Sequence, residues 1–343
     1  MSEKNKTAMI IGGGPAGMEA ALQIGRAGFS SVLVEKTMKL GGTLLKLCSS
    51  FPHWENPLDL VEWKTRQLER CARVRVMTET VVDTSLQDQE QYIVSLKTKD
   101  RDIEKLEIDA VILATGFEMM DVSIYGEYGY GIYPGVINSL RFEDRLKEWK
   151  DGKGGDAPQG VAFFKCVGSR DRSKGYPYCS KICCMYTAKQ AGLVKDIFPD
   201  TAVYVFYMDY RAAGKGYEEF VREVIEKKHV RYVRGRPAKV QPAGKRLLVK
   251  AEDTLIGIPV EVSVDFVVLA SAAVPRRDTV HLAAMFGGRT DEYGFLEREL
   301  FSPSRTAGRL FFAGGCGFPV EAPLALQQGG AAAAEVIALF SED

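Results

Sequence analysis

Residues 8–36 read AMIIGGGPAGMEAALQIGRAGFSSVLVEK, and most of the architecture hangs on them. Ala8 to Ile11 is a short apolar run suited to a buried parallel strand. Gly12, Gly14 and Gly17 follow as G-x-G-x-x-G. The first glycine permits a tight turn, the second lets the backbone approach a pyrophosphate, and the third lets a helix pack close to the strand. That helix is expected from about Pro15 to Ala27, with its positive N-terminus at Pro15 and Ala16 facing the phosphates. A second strand, Ser31 to Val34, ends at Glu35. This carboxylate lies 18 residues after Gly17, where an acid can hydrogen-bond both hydroxyls of an adenosine ribose, and Lys36 follows it. Strand, turn, helix, strand and acid in register predict a dinucleotide site.

Two later stretches choose between dinucleotides. "IDAVILATGFE" is an apolar strand, Ala110 to Leu113, ending in Ala114-Thr115-Gly116. "GRLFFAGGCGFPVEAPLALQQGGAAAAEVIALF" is a strand, Leu310 to Ala313, then Gly314-Gly315 and a long helix. They resemble the marker segments of flavoproteins with two dinucleotide-binding domains, the group of thioredoxin reductase and dihydrolipoamide dehydrogenase. The resemblance implies FAD, with the second segment returning beside the flavin. Such proteins usually carry an acid after that glycine. Here Gly315 and Cys316 stand instead, so backbone amides would have to hold the ribityl chain. Gly41, Gly42 and Thr43 are expected near the flavin's phosphate or ribityl chain.

The bulk properties are those of a globular chain. At 343 residues it is too long for one ordinary core, so two lobes are expected. Apolar residues make up 46% and charged residues 26%. Forty-five basic residues balance 45 acidic ones, which leaves no net field toward nucleic acid or an anionic membrane. No run of 18 apolar residues appears, so no bilayer span is expected. "MSEKNKTAMIIGGG" offers no signal-peptide core. A cytoplasmic, reducing compartment is the expectation, and clustered cysteines there point to metal or catalysis rather than disulfides.

The middle of the chain carries such a cluster. Residues 160–275 read as a second α/β region: "GVAFFK" a strand, "SKICCMYTAKQAGLVKDIF" a helix, "AVYVFYMDY" a strand, "EEFVREVIEKK" a helix, "VDFVVLASAAVPRR" a strand and loop. The turn after the first strand reads Cys166-Val167-Gly168-Ser169-Arg170, without the glycine fingerprint that a nicotinamide dinucleotide would need. Cys166, Cys179, Cys183 and Cys184 fall within 19 residues, four of the chain's seven cysteines. On a helix, Cys179 and Cys183 would share a face one turn apart, with Cys166 arriving from the strand end. Lys165, Arg170, Lys181 and the helix N-terminus would favour thiolates. Four thiolates suit iron–sulfur or zinc alike, and a redox dithiol is a third option. A flavin lacking a hydride donor's site needs a one-electron partner, which favours iron–sulfur.

"YGYGIYPGVINSLRFEDRL" (128–146), "CVGSRD", "YCSKICCMYTAKQA", "YMDYRAAGKGYEEF" (207–220) and "VRYVRGRPAKV" (230–240) together resemble the flavin-carrying A-subunit of heterodisulfide reductases, over nearly the whole chain. The resemblance implies FAD and a [4Fe–4S] cluster on Cys166, Cys179, Cys183 and Cys184. It also implies a homodimer passing electrons among heterodisulfide-reductase-like B and C subunits, with a lipoate-carrying or other sulfur carrier as a further partner. The ferredoxin-type cysteine runs of the methanogen proteins are missing, so this is a short form. It looks most like the subunit of cytoplasmic sulfur-oxidising complexes. The near alternative is the flavin subunit of a quinone-interacting complex. A stand-alone NAD(P)H-dependent thiol–disulfide reductase and a zinc-stabilised scaffold compete from other classes.

The fold expected is therefore α/β, thioredoxin reductase-like, with two dinucleotide-binding domains. A split FAD domain would occupy 1–120 and 276–343, and an inserted domain with the cysteine motif 121–275. Cys48, Cys71 and Cys316 read more simply as packing residues, and His53 as a surface or packing histidine. Tyr217 and Glu218 are expected near the start of a helix.

Overall fold

The computed structural model describes residues 6–88, 90–98 and 104–342. Seven α-helices occur among them: α1 (Pro15–Arg26), α2 (Pro57–Glu69), α3 (Ser139–Lys150), α4 (Cys183–Ile197), α5 (Tyr217–Glu226), α6 (Arg277–Met285) and α7 (Ala322–Glu342). The chain divides into two units. One holds 6–45, 58–118 and 274–342, and the other Lys46–Pro57 and Met119–Ala273.

The first unit is built on a six-stranded sheet ordered Arg305–Ala307, Leu310–Phe312, Ala110–Leu113, Thr7–Ile11, Ser30–Val34 and Val74–Met77. Thr7–Ile11 lies between parallel neighbours on both sides, Ser30–Val34 and Ala110–Leu113. A strand covered on both faces can be apolar at every position, and Ala8 to Ile11 are all buried. A three-stranded antiparallel sheet, Thr80–Asp88, Gln91–Thr98 and Glu104–Ile108, adds Tyr92, Val94 and Leu96 to the same core.

α7 is the one helix among the described residues that is long and apolar enough to cross a membrane. No such segment was expected. Its buried positions Ala325, Gly329, Ala332, Ala333, Val336 and Phe340 recur at helical spacing and form one apolar stripe. Gly329 makes the close approach to α1 possible, since a Cβ there would stand 2.3 Å from the Ala16 carbonyl oxygen. Phe340 closes the far end edge-on against Phe29.

The second unit repeats the theme. Its parallel sheet runs Arg231–Arg234, Ala202–Tyr207, Gly160–Val167, Phe266–Ser271 and Val136–Asn138. Gly160–Val167 is central and buried throughout. α3, α4 and α5 contribute Phe142, Met185, Ala188, Phe220 and Val224 to the apolar cluster that covers it. A three-stranded antiparallel sheet, Lys239–Ala243, Arg246–Asp253 and Ile258–Val264, completes the unit.

The structure corrects three expectations. Lys46–Pro57 does not belong with its sequence neighbours but with the second unit. Phe51 packs edge-on against Tyr217, Trp54 lies 4.7 Å from the Phe220 ring, and the Ser49 carbonyl accepts from buried Lys189 at 2.9 Å. These aromatic and ionic anchors outweigh chain continuity. The α4 helix starts at Cys183, not near Ser180, because Lys181 sits at φ 60°. Cys179 is therefore outside the helix. The strand expected to Tyr210 stops at Tyr207, which frees Asp209 and Arg211 to turn toward the cysteines.

Candidate functional site

The first unit turns from its first strand into α1 through glycines. Gly12 takes φ 119°, and a Cβ there would stand 2.3 Å from the Ala114 carbonyl oxygen. At Gly17 a Cβ would reach 1.9 Å from the Gly12 oxygen, so only glycine lets α1 come this close to the strand. Gly14 differs: nothing lies within 4 Å of its Cβ position. Two glycines thus face protein and one faces open space, as a pyrophosphate loop requires. The N-terminus of α1 begins with Pro15 and has no side-chain cap, which leaves its amides for an anion.

Glu35 is buried and already oriented. Its Oε2 accepts from the Gly13 amide at 2.7 Å, and its Oε1 from the Thr37 amide and hydroxyl at 2.8 Å. The Gly41 amide donates to the Gly13 carbonyl at 2.7 Å. The Cβ position of Gly42, which opens a 3-10 turn with Thr43, lies 3.2 Å from the Gly14 Cα. Lys36 is ion-paired with Asp278. The Thr115 hydroxyl is 2.8 Å from that of Thr279, next to Gly116 at φ 74°. The Gly314 amide donates to Gln328 at 2.9 Å, and Gly315 abuts Phe117. The Cys316 thiol is fully buried and donates to the Leu113 and Ala313 carbonyls. Burial pushes its pKa to about 11, which suits packing rather than redox chemistry.

The second unit brings three of the four clustered cysteines together. Cys166, Cys183 and Cys184 are 2%, 1% and 4% exposed. Cys183 is hydrogen-bonded to both Cys166 and Cys184, and its own pKa is driven up by them and by burial. The bond from Cys183 pulls Cys166 down to about 7, against burial, with help from Lys165 and Arg170. The same donor pulls Cys184 down to about 5, assisted by Lys165 and by the Arg211 amide, 3.3 Å from its sulfur. Cys179 stands apart, with its sulfur accepting from the Lys181 amide at 3.4 Å. Among the described residues no three His, Cys, Asp or Glu side chains are spread as a ready metal site.

The backbone here is special. The pairing of Gly160–Val167 with Phe266–Ser271 shifts register between Phe164 and Val167, and Cys166 within that bulge takes φ 60°. Arg170 and Lys181 also have positive φ. Non-glycine residues reach this region rarely and at a cost, and such outliers gather at functional sites. Bulges likewise re-aim a side chain out of the sheet's alternation. Arg170 clamps Asp209 through two bonds of 2.6 and 2.9 Å, while Lys165 donates to the Asp209 carbonyl. The donors are soft thiols, two of them acidic, with cations and a helix N-terminus to balance thiolate charge, the chemistry that iron–sulfur and zinc sites use, while Cys179 does not stand with the other three.

The sequence points to Lys165 and Arg170 but not to Asp209, the Arg211 amide or Thr187. Only the "YMDYRAA" segment carries a signal for the first two. Among the side residues, His53 is exposed, Tyr217 opens α5, and the Cys48 amide donates to Glu143 at 2.8 Å.

Comparison with known proteins follows the same lines. The pyridine nucleotide-disulphide oxidoreductase family matches residues 6–155. The thioredoxin reductases of T. acidophilum and Lactococcus lactis superpose with TM-scores of 0.67 each, at 18% and 19% identity. Each alignment covers 98% of this chain, and 98% and 100% of those chains. This establishes the two-dinucleotide-binding-domain fold. The iron-sulfur A-subunit of the CoB–CoM heterodisulfide reductase of Methanocaldococcus jannaschii is 30% identical over 86% of this chain. A corresponding A-subunit from Methanopyrus kandleri is 31% identical over 95%. The chain spans 58% and 63% of those relatives.

Proposed function

The chain belongs to the heterodisulfide reductase A-subunit family, and from that membership we propose that it is an FAD- and [4Fe–4S]-dependent electron-transfer subunit. The observation that carries this is the pairing of features, one in each unit. The first unit has a cradle with open space only where a pyrophosphate belongs, and the second replaces that cradle with buried, acidic thiols. Gly12, Gly14, Gly17 and α1 would hold the pyrophosphate, and Glu35, fixed by Gly13 and Thr37, the ribose. Gly42, Thr43, Thr115, Gly116, Gly315 and Cys316 would line the rest of the flavin path. Cys166, Cys183 and Cys184, joined by Cys179 from the preceding loop, would ligate the cluster.

Flavin exchanges electrons singly or in pairs, and an iron–sulfur cluster passes one at a time. The residues of this chain do the holding: Lys165, Arg170 and the Arg211 amide balance thiolate charge, and burial keeps water away. We assign the chain to a complex with heterodisulfide-reductase-like B and C subunits, as a homodimer in the cytoplasm. Within that assignment, sulfur oxidation with a sulfur-carrier protein is the specific role proposed. The support is the A-subunit designation of the relatives and the missing hydride-donor cradle.

Metal and flavin analysis of anaerobically purified protein tests the reading. About four irons and four sulfides per FAD are expected, with an EPR signal on dithionite reduction that C183S abolishes. Zinc, or four titratable thiols without metal, would overturn it.

A further inference from the structure

Thr187 is 0% exposed and lies one turn into α4, yet its Oγ1 has no hydrogen-bond partner. An unpaired buried hydroxyl typically costs about 1–3 kcal/mol, and threonine in a helix usually avoids this by bonding back to a carbonyl one turn earlier. Valine would fill the same volume without the penalty.

Helix geometry gives the sector into which the side chain projects. At about 100° per residue, Thr187 projects about 40° round from Cys183 and 60° from Cys184, in the sector between them. It stands four residues after the first and three after the second, the spacing at which helical side chains meet. Helical side chains also lean toward the N-terminus, so that of Thr187 covers the turn carrying the two cysteines. Backbone donors serve this sulfur group elsewhere, the Arg211 amide at Cys184 and the Lys181 amide at Cys179. On this side of α4 the only group with a free O–H is Thr187, among the described residues with an unpaired buried oxygen.

We infer that Thr187 is a positioning residue whose O–H donates to the sulfurs of Cys183 and Cys184 when they carry the cluster, and so sets its potential. This rests on the cluster reading above. A hydrogen bond to a cluster sulfur stabilises the more negative, reduced state, so it raises the potential.

The test is an EPR-monitored redox titration of the loaded protein and of T187V, T187A and T187S, each with its iron and sulfide content. T187V and T187A should titrate lower. At the wild-type midpoint their ratio of reduced to oxidised cluster should fall by up to tenfold, about 59 mV for one electron. T187S keeps the hydroxyl and should titrate with wild type. If T187V does not load, T187A against T187S decides. Equal potentials in T187A, T187S and wild type would overturn the inference while leaving the cluster intact. Absence of iron from wild type would instead refute the cluster reading itself.

Discussion

Gly14 and Gly17 belong to one motif but answer to different constraints, and substituting each separates them. Alanine at Gly17 puts a Cβ against the Gly12 carbonyl, so α1 must move away from its strand. Overpacking of this kind typically costs about 1–3 kcal/mol. Alanine at Gly14 meets no protein atom, and its φ of −74° is open to any residue. We expect G17A to lose both thermal stability and flavin. G14A should keep the wild-type melting temperature of the flavin-free protein while losing flavin, measured by absorbance per chain. Equal flavin content in G14A and wild type would show that no phosphate sits over this loop. The sequence displayed this logic in full, because glycine spacing encodes backbone clearance directly. It did not display Thr187, since an orphaned hydroxyl becomes visible only when every neighbour is in place. Nor did it reveal that Cys179 lies outside α4: the helical pattern runs on through Ser180 and Lys181, and only the left-handed backbone at Lys181 ends it.

α3, α4 and the 46–57 segment are joined by a polar knot that alternation of apolar residues could not foretell. Lys189 and Glu143, each 1% exposed, are 2.7 Å apart. Gln190 donates to the same carboxylate, Lys189 to the Ser49 carbonyl, and the Cys48 amide to Glu143. Removing one partner of a buried pair leaves an uncompensated charge and costs about 3–5 kcal/mol, whereas replacing both by apolar residues is often neutral. E143Q should therefore destabilise the protein to urea strongly and open 46–57 to proteolysis, and the E143L/K189M pair should recover much of the loss. Independent effects of the two substitutions would sink this account. The loop from Gly168 to Ile182 has its own anchor in Asp171, held well below the usual carboxylate range by the Ser173 hydroxyl first, then by Ser173 and Lys174 amides and the Tyr125 hydroxyl. Its folded pKa is lowered, so its contribution is present above the unfolded value, about 3.9, and is lost as pH falls below it. D171N should be less stable than wild type at pH 7, and the gap between their urea midpoints should begin to narrow as pH falls below about 3.9 and keep narrowing toward the lowered folded pKa. A constant gap would mean that Asp171 acts through packing and not through its charge.

Across the molecule, one fold carries two different loops at equivalent places, and the difference predicts which reductant the chain accepts. In the first unit the strand Thr7–Ile11 passes straight into α1 through glycines, which leaves the uncapped helix amides open to an anion. In the second, Gly160–Val167 is followed by residues 168–182 before α4 begins, and the first turn of that helix presents Cys183 and Cys184. A nicotinamide dinucleotide needs the close backbone approach that glycines give, and the corresponding turn here carries Cys166 at φ 60° and the Arg170–Asp209 clamp instead of glycines. This substitution was legible in the sequence, since a missing fingerprint between a strand and a helix is a local feature. The division of the chain was less so, because Phe51 and Trp54 choose the second unit through partners 166 residues away. The chain spans 58% and 63% of the two heterodisulfide reductase relatives' length. In a stopped-flow experiment under anaerobic conditions, excess NADH or NADPH should leave the flavin of the isolated chain oxidised for minutes, while dithionite bleaches it at once. Bleaching by either nucleotide within milliseconds, saturable in its concentration, would show that the cysteine loop accommodates a hydride donor and would turn the chain into a self-contained reductase.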